Sequence, residues 1–311
     1  MRRDIRRLWG VAGHPTMFLG PAVLVILALF LAPAVLTIVI SLTNLSVSTG
    51  LNQYQWIGLA NYGQLTGSPW LVLVLRNTVL YVVGTLVLFN VGMALVLAIL
   101  TAHLSARVAG MFRVLWMLPR ITPSVVYALM WRWFAAQPPY GTLSQLLGLV
   151  GVPGHNWMNA HPWGFVIALN GFVGASFGMI IFSSAIAAIP RDQYLAAQVD
   201  GASSWQQIWR ITLPWLRWPV LFVTAYQTLS LLTSFEYILL TTNGGPGFFT
   251  TEVWSLYAFH LALSNYFGNT QFGLGAALAA VLVVLGLAAS LVLLRVFRFG
   301  ELVAPPRIEV N

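Results

Sequence analysis

The sequence PRDQYLAAQVDGASSWQQIWRITLP, residues 190–214, is a polar and charged stretch between two long apolar runs. Its first half predicts a short helix that ends in a tight turn. Pro190 suits a first helical turn, because that turn does not use its missing amide hydrogen. Gly201 favours the left-handed conformation that commonly follows the last helical residue.

The second half of this 190–214 segment carries the signals that begin and end another helix. Ser203 with Gln206, or Ser204 with Gln207, has the spacing of a capping box. Pro214 marks where that helix kinks or stops. The segment is therefore predicted to be a helix-turn-helix that lies outside the bilayer.

The rest of the chain is strongly apolar. Of its 311 residues, 59% are hydrophobic and 7% are charged, whereas soluble domains carry about 25% charged residues. Apolar runs near the roughly 20 residues needed to cross a membrane predict an all-α integral membrane protein with six transmembrane helices. Pro119 and Pro123 are expected to kink the third of these helices, at residues 114–134. The predicted spans are residues 17–42, 78–100, 114–134, 163–189, 218–240 and 274–296, and residues 43–69 are predicted to form a loop.

The arginines predict the orientation, because positive residues concentrate on the cytoplasmic side of membrane proteins. If six spans alternate, most arginines and the 190–214 segment fall on one side. We therefore expect a cytoplasmic tail at residues 1–16, a transmembrane domain at 17–298 and a cytoplasmic tail at 299–311. The arginines on that side are Arg2, Arg3, Arg6, Arg7, Arg107, Arg113, Arg191, Arg210, Arg217, Arg295, Arg298 and Arg307.

Several classes of function are excluded by what the sequence lacks. There is no cysteine, so disulfides and thiolate chemistry are excluded. There is no lysine and no Gly-Lys-Ser/Thr motif, so the chain has no P-loop for a nucleotide. The histidines lack metal-binding spacing and the carboxylates form no close pair, so neither a metal site nor an enzymatic centre is predicted. The net charge of +8 follows from membrane topology and does not indicate nucleic-acid binding.

Three strings within the 190–214 segment resemble the EAA loop of ABC-importer permease subunits: Tyr194-Leu195-Ala196-Ala197, Asp200-Gly201-Ala202 and Ile211-Thr212-Leu213-Pro214. The sequence departs from the family at Leu195, where a glutamate is usual. The resemblance implies cytoplasmic coupling helices that insert into an ATP-hydrolysing partner. An interfacial hairpin with its tryptophans on lipid is the alternative. The implied coupling residues are Tyr194, Leu195, Ala196, Ala197, Asp200, Gly201, Ala202, Ile211, Leu213 and Pro214.

A second string, Thr242-Asn243-Gly244-Gly245-Pro246-Gly247, is followed by Thr250 and predicts a turn, because Asn-Gly, Gly-Gly and Pro-Gly pairs favour turns. It resembles the Thr-x-Gly-Gly-Pro-x-x-x-Thr signature of the larger permease in carbohydrate importers. That resemblance implies that Gly244, Gly245 and Pro246 face an extracytoplasmic binding protein.

Polar and aromatic residues within spans four and five are candidates to line a transport route. They recur at helical spacing and coincide with the pathway faces of the resembling family. Amides, hydroxyls and rings suit sugars, but the same residue types also pack membrane helices together. The candidates are Asn170, Gly174, Phe177, Gln227, Leu231 and Ser234.

The resemblance implies a permease subunit in the inner membrane of a bacterium or archaeon, importing a mono- or oligosaccharide by ATP-driven alternating access. The implied partners are a second homologous permease, two copies of an ABC ATPase, a solute-binding protein, the sugar and membrane lipid. ATP and magnesium would be bound by the ATPases, with no cofactor in this chain. The alternatives are import of a glycerophosphodiester, polyol or other solute, or proton-coupled transport through Glu236, the acidic residue within the six predicted spans.

Overall fold

The computed structural model of the chain describes residues 15–264 and 268–296. In these residues the regular structure is helical, with one isolated β-bridge between Thr43 and Trp56. The predicted all-α class is therefore confirmed. The predicted C-terminal tail lies outside the described residues. The N-terminal tail does too, except for its last two residues, where the first helix already begins.

The helices are numbered here in chain order, with π-helical turns counted as parts of the helices that contain them. They are α1 (Pro15–Ile26, a π-helical turn at Leu27–Leu31, and Ala32–Ser41), α2 (Ala60–Thr66), α3 (Leu71–Ala102, with a π-helical turn at Leu86–Met93), α4 (Ala106–Ile121), α5 (Ser124–Phe134), α6 (Thr142–Gly148), α7 (Trp157–Ala160), α8 (Pro162–Ala187), α9 (Arg191–Val199), α10 (Ser204–Gln207, a π-helical turn at Ile208–Thr212, and Leu213–Trp215), α11 (Arg217–Thr233), α12 (Glu236–Thr241), α13 (Trp254–Ala262) and α14 (Phe272–Val296).

Four helices in the described part of the chain are long and apolar enough to cross a membrane. They are Leu19–Ser41 within α1, all of α3, all of α8, and Phe272–Val292 within α14. The bent pair α4 and α5 makes a fifth if it crosses as one span. Helix α11 has 17 residues, fewer than the roughly 20 that a full crossing requires.

The helices group into two compact units. One holds the described residues up to Ser68 together with Ala258–Val281, and the other holds Pro69–Tyr257 together with the described residues from 282 onward. All of the candidate site residues named above belong to the second unit.

In the first unit, the loop predicted after span one contains the short helix α2. The side chain of Asn61 is buried, and its Nδ2 donates hydrogen bonds of 2.8 Å to the carbonyl oxygens of Ser41 and Thr43. Tyr62 adds a hydroxyl contact of 2.8 Å to Ser41 Oγ. The region predicted to be an outer loop therefore contains a short helix, because these contacts anchor a helical turn that the local sequence does not announce.

The second unit is built around α8, which packs on α3, α4 and α11. The face of α8 toward α3 carries Gly171, Gly174 and Gly178, and a Cβ at any of the three would overlap atoms of α3. Small residues at such a crossing allow two backbones to approach closely, so that van der Waals packing holds the helices together.

The predicted third span is divided by a bend of 101° between α4 and α5. The bend lies at Thr122, whose extended backbone (ψ 132°) ends α4 directly before Pro123. A residue that precedes proline is pushed out of the helical region by contact with the proline ring. Pro119 lies within α4 and does not end it, so the predicted kink at Pro123 is confirmed and the third span is not one continuous helix.

The predicted fifth span was wrong as a single helix, because it is interrupted after Thr233. Ser234 has an extended backbone (ψ 115°), and α12 begins two residues later. The carbonyl oxygen of Ser234 accepts a hydrogen bond of 3.2 Å from Ser255 Oγ. A broken helix at membrane depth is tolerated where side chains satisfy the freed backbone groups. The Ser255 hydroxyl satisfies one such group, the carbonyl of Ser234.

Candidate functional site

The turn within the 190–214 segment has the geometry that its glycine predicts. Gly201 has a φ of +76°. Its amide donates to the carbonyl of Gln198 at 3.0 Å, and the amide of Ala202 donates to the carbonyl of Ala197 at 2.8 Å. These two bonds form a Schellman motif, which satisfies carbonyls at the end of α9 and reverses the chain. The predicted left-handed turn is confirmed.

The second helix of the segment begins with the first of the two predicted capping boxes. Ser203 Oγ accepts from the amide of Gln206 at 3.3 Å, and Gln206 Oε1 accepts from the amide of Ser203 at 2.8 Å. The alternative pair, Ser204 with Gln207, does not form the cap. Pro214 lies in the last turn of α10, which ends one residue later at Trp215, close to the predicted end. The helix widens into a π-helical turn just before the proline, which is a common way to accommodate a disrupted ladder.

Two side-chain hydrogen bonds fasten the two halves of the segment together. The hydroxyl of Tyr194 on α9 lies 3.0 Å from Thr212 Oγ1 on α10. Trp215 Nε1 donates to Gln193 Oε1 at 2.9 Å. The segment is thus a hairpin whose shape is fixed by its own contacts.

The outward surface of α9 is partly apolar. Leu195 is 56% exposed and Val199, one turn later, is 89% exposed. Asp200 and Gly201 are also exposed at the turn. The predicted coupling residues therefore divide into two groups. Those that are exposed are Leu195, Ala196, Asp200, Gly201 and Pro214, and those that are half-buried are Tyr194, Ala197, Ala202, Ile211 and Leu213.

The predicted pathway amides lie inside the helix packing. Asn170 Nδ2 donates to the hydroxyl of Tyr81 and, at 3.1 Å, to Ser234 Oγ. Gln227 Nε2 donates to the carbonyl of Gly174 at 2.9 Å, and both amide side chains are buried. These bonds join α3, α8, α11 and the break after α11. The contacts give both amides a helix-packing role, and their contribution to a pathway stays a prediction.

An aromatic surface lies beside these amides on α8 and α11. Phe177 stacks on Tyr226 with ring centroids 4.8 Å apart, and Tyr226 stacks on Phe222 at 6.5 Å. The guanidinium of Arg120, on α4, lies 5.0 Å above the Phe177 ring. Phe222 and Tyr226 are 55% and 46% exposed, whereas Leu231 is buried. Of the predicted pathway residues, Phe177 is therefore the one that belongs to this exposed surface.

The arginine limits what this aromatic surface can face. An ionised side chain in contact with lipid tails is costly, so charges within membrane-spanning regions face protein or water-filled space. Arg120 is exposed and makes a cation–π contact with Phe177, whose strength is about 0.5–2 kcal/mol. The surface is suited to contact a polar solute that also has apolar faces.

Glu236 lies where the two helix breaks come together. It is the first residue of α12, and its Oε1 accepts a hydrogen bond from Ser124 Oγ, the first side chain of α5. The carboxylate is exposed. In residues 15–264 and 268–296, no three histidine, aspartate or glutamate side chains group together as a metal site.

The glycine-rich string forms the predicted turn. Thr251 Oγ1 donates to the carbonyl of Gly245 at 2.7 Å and lies 2.8 Å from Thr242 Oγ1. Its amide donates to the carbonyl of Gly244, which has a φ of +82°. Gly244 is buried, Gly245 is half-buried and Pro246 is exposed. Thr242 and Thr251 therefore close the turn, and Pro246 lies at its exposed tip.

A protein-family model described as "Binding-protein-dependent transport system inner membrane component" matches residues 94–298. That range contains the hairpin, the aromatic surface and the glycine-rich turn. The chain belongs to this family. It is the membrane permease component of an ABC transporter and not its catalytic subunit.

The permease is similar to curated proteins over most of its length. A probable ABC transporter permease of Pyrococcus horikoshii is 33% identical, over 75% of this chain and 79% of the relative. The sulfoquinovosyl glycerol transport system permease SmoG of Agrobacterium fabrum is 29% identical, over 91% and 89%. The fold matches a chain of the bacterial alginate ABC transporter, crystallised with an alginate-pentasaccharide-bound periplasmic protein, with a TM-score of 0.78, 24% identity and coverage of 95% and 96%.

Sequence reasoning missed most of the aromatic surface of the permease. Phe222 and Tyr226 are four residues apart, so a helical reading places them on one face. That spacing was available, but it does not distinguish a lipid-facing stripe from a solute-facing one. Arg120, which lies over the Phe177 ring, comes from a different helix, so the charge beside this stripe is seen only in the folded protein.

Proposed function

We propose that this permease imports a sugar or a sugar-like solute. The family match over residues 94–298 carries the assignment to binding-protein-dependent transport. The sugar is supported by the Thr-x-Gly-Gly-Pro-x-x-x-Thr signature and by SmoG, whose name specifies a sugar derivative. The aromatic surface also fits, because aromatic rings stack on sugar C–H faces and Arg120 donates hydrogen bonds to hydroxyl or acidic groups.

The proposed topology has six spans: α1, α3, the bent pair α4 and α5, α8, α11 with α12, and α14. Arginines in the first half of α4, at the starts of α9 and α11 and within α10 support a cytoplasmic position for the 190–214 segment and for both termini. These arginines are Arg107, Arg113, Arg191, Arg210 and Arg217. The glycine-rich turn would then face the outside, where a solute-binding protein delivers its ligand.

In this arrangement the 190–214 segment contacts the ATPases and is moved by them. Its exposed surface at Leu195, Val199 and Gly201 would insert into a cleft on one of two ABC ATPases, which bind ATP and magnesium. A second, homologous permease would complete the membrane part. Because the hairpin is fixed by its own hydrogen bonds, movement of the ATPases would be transmitted to α8 and α11 without loss in a flexible loop.

The substrate class and the energy source can be tested together in cells. Uptake would be measured with a neutral disaccharide, an oligouronate, a sulfonated glycoside and a glycerophosphodiester, in the wild type and in a strain that lacks this permease. We expect one of the first three probes to require the permease, to need ATP and to resist a protonophore. Loss of uptake on uncoupling with ATP intact would favour the proton-coupled alternative. If only the uptake of the glycerophosphodiester requires the permease, that compound replaces the sugar as the proposed substrate.

Adjacent residues on α11 separate solute contact from helix packing. We expect Tyr226→Ala to reduce the maximal uptake rate at saturating binding protein by about two- to tenfold, the equivalent of one aromatic stacking contact of about 0.5–1.5 kcal/mol. Its melting temperature should stay close to the wild type, because Tyr226 lies at the surface, where its side chain is 46% exposed.

The matched variant is Gln227→Ala, which removes the buried hydrogen bond to Gly174. It should lower the free energy of unfolding by about 0.6–1.7 kcal/mol, as is typical of hydrogen bonds between membrane helices. Uptake per folded transporter should change little. The reverse pattern, with uptake lost in Gln227→Ala and retained in Tyr226→Ala, would assign the amide to the pathway and exclude the aromatic surface from it.

A further inference from the structure

A cavity of about 650 Å³ lies between the ends of α3 and α8, the first turns of α4, and the two helices of the 190–214 segment. We name it the hairpin cavity. Its lining includes the basic side chains of His103, Arg113 and Arg191, whereas no aspartate or glutamate of the described chain lines it. Such a lining favours a ligand with negative charge.

Two buried polar atoms of this lining make no hydrogen bond within the described residues. They are Arg113 Nε and Ser183 Oγ. The other serines of the same stretch of α8 bond to their own helix: Ser176 Oγ donates to Val173 and Ser184 Oγ donates to Ile180. A buried donor without a partner is costly and is usually explained by a ligand, an ion or a water.

The remaining lining is apolar in part, and it includes Ile99, Ile186 and Ile208. The cavity lies at the ends of α3 and α8, two helices long enough to cross the membrane. It is therefore at the depth of the lipid headgroups if these helices span the bilayer. Basic pockets between helices at this depth are suited to the phosphate groups of lipids.

We infer that the hairpin cavity binds a phosphate-bearing anion. Arg113 is its main ligand because a guanidinium bonds phosphate oxygens through several charge-assisted hydrogen bonds. Ser183 supplies a hydroxyl donor, and Arg191 contributes from α9. A ligand held in this way would connect α4 and α8 to the hairpin. This site is separate from the aromatic surface and does not depend on which solute is transported.

The test uses the full-length chain, purified in detergent and stripped of lipid. Binding is measured by native mass spectrometry with phosphatidylglycerol, with diacylglycerol, which lacks the phosphate, and with glycerol 3-phosphate, which lacks the acyl chains. We expect saturable binding of at least one phosphate probe and none of diacylglycerol. Binding of phosphatidylglycerol alone identifies a lipid ligand, whereas binding of glycerol 3-phosphate identifies a soluble phosphate ester.

The informative variant is Arg113→Gln, which should weaken phosphate binding by about tenfold or more, as expected when charged hydrogen bonds are lost. Its control is Arg107→Gln, which makes the same charge change on the same helix at an exposed residue outside the cavity lining. That variant should bind within about twofold of the wild type, because exposed charges contribute little.

Ser183→Ala provides a second measurement that does not remove a charge, and it should weaken binding by about threefold or more, through loss of one hydrogen bond. If Arg113→Gln does not yield folded protein, the binding measured with Ser183→Ala tests the inference instead. The inference is overturned if neither phosphate probe binds, if diacylglycerol binds as well as phosphatidylglycerol, or if Arg107→Gln weakens binding as much as Arg113→Gln.

Discussion

A chain with Gly201→Asp is expected to fold and to assemble in the membrane but to lose most of its transport. Gly201 is exposed, and a Cβ there would meet no atom within 4 Å. Its φ of +76° costs a residue with a side chain about 1–2 kcal/mol, and aspartate tolerates this conformation better than most residues. The folded chain can therefore accept the substitution.

The expected loss of transport arises at the surface of the hairpin that would contact the ATPase. A carboxylate at the tip of the turn would enter the space that a docking ATPase occupies. Each 1.4 kcal/mol of binding free energy lost at this contact weakens the affinity for the ATPase about tenfold. We therefore expect uptake to fall by at least about tenfold. Uptake is measured in vesicles together with ATP hydrolysis stimulated by the binding protein.

The matched control is Gly151→Asp. Gly151 has a φ of +82° and is exposed, and a Cβ there would also meet no atom within 4 Å, but it lies in the loop between α6 and α7. It carries the same backbone cost without touching the 190–214 segment, and its uptake should be close to the wild type. If both variants transport equally well, the turn at Gly201 is not a docking element.

Replacement of Gly178 by leucine should have the largest effect on folding. A Cβ at Gly178 would overlap the carbonyl oxygen of Asn90 and would lie 2.7 Å from the Cβ of Ala94. The first of these atoms belongs to the backbone and cannot move aside as a side chain can. Overpacking typically costs about 1–3 kcal/mol and occasionally more, and we expect a value of about 3 kcal/mol or above. A lower melting temperature in detergent and a reduced membrane yield would report it.

Gly164→Leu is the control on the same helix, because a Cβ there meets nothing within 4 Å. An exposed substitution of this kind is expected to change the free energy of unfolding by no more than about 0.5 kcal/mol. Equal melting temperatures for the two variants would mean that α3 and α8 do not depend on close contact through Gly178.

The features that could be predicted from sequence are those decided by neighbouring residues. Gly201 and the Ser203–Gln206 pair act within one or two turns, so the spacing predicted the helix end and limited the capping box to two candidate pairs, of which the structure has the first. The kink at Pro123 is equally local, because it follows from contact between a proline ring and the residue before it.

The features that could not be predicted depend on partners far along the chain. The break at Ser234 is held by Tyr81, Asn170 and Ser255, which are 21 to 153 residues away. From sequence alone, a polar side chain on a membrane helix fits a packing role and a transport role equally well. Only the contacts of Asn170 and Gln227 show that both bond to neighbouring helices.

The closed hydrogen-bonding pattern of the 190–214 segment has a consequence for assembly. Its Schellman turn, its capping box and the Tyr194–Thr212 contact order the backbone before any other subunit arrives. Ordering a residue costs about 1–2 kcal/mol of conformational entropy, and here that cost falls on the folding of this chain. Association then loses little further chain entropy, so an ATPase can leave and rebind during turnover without the hairpin having to refold.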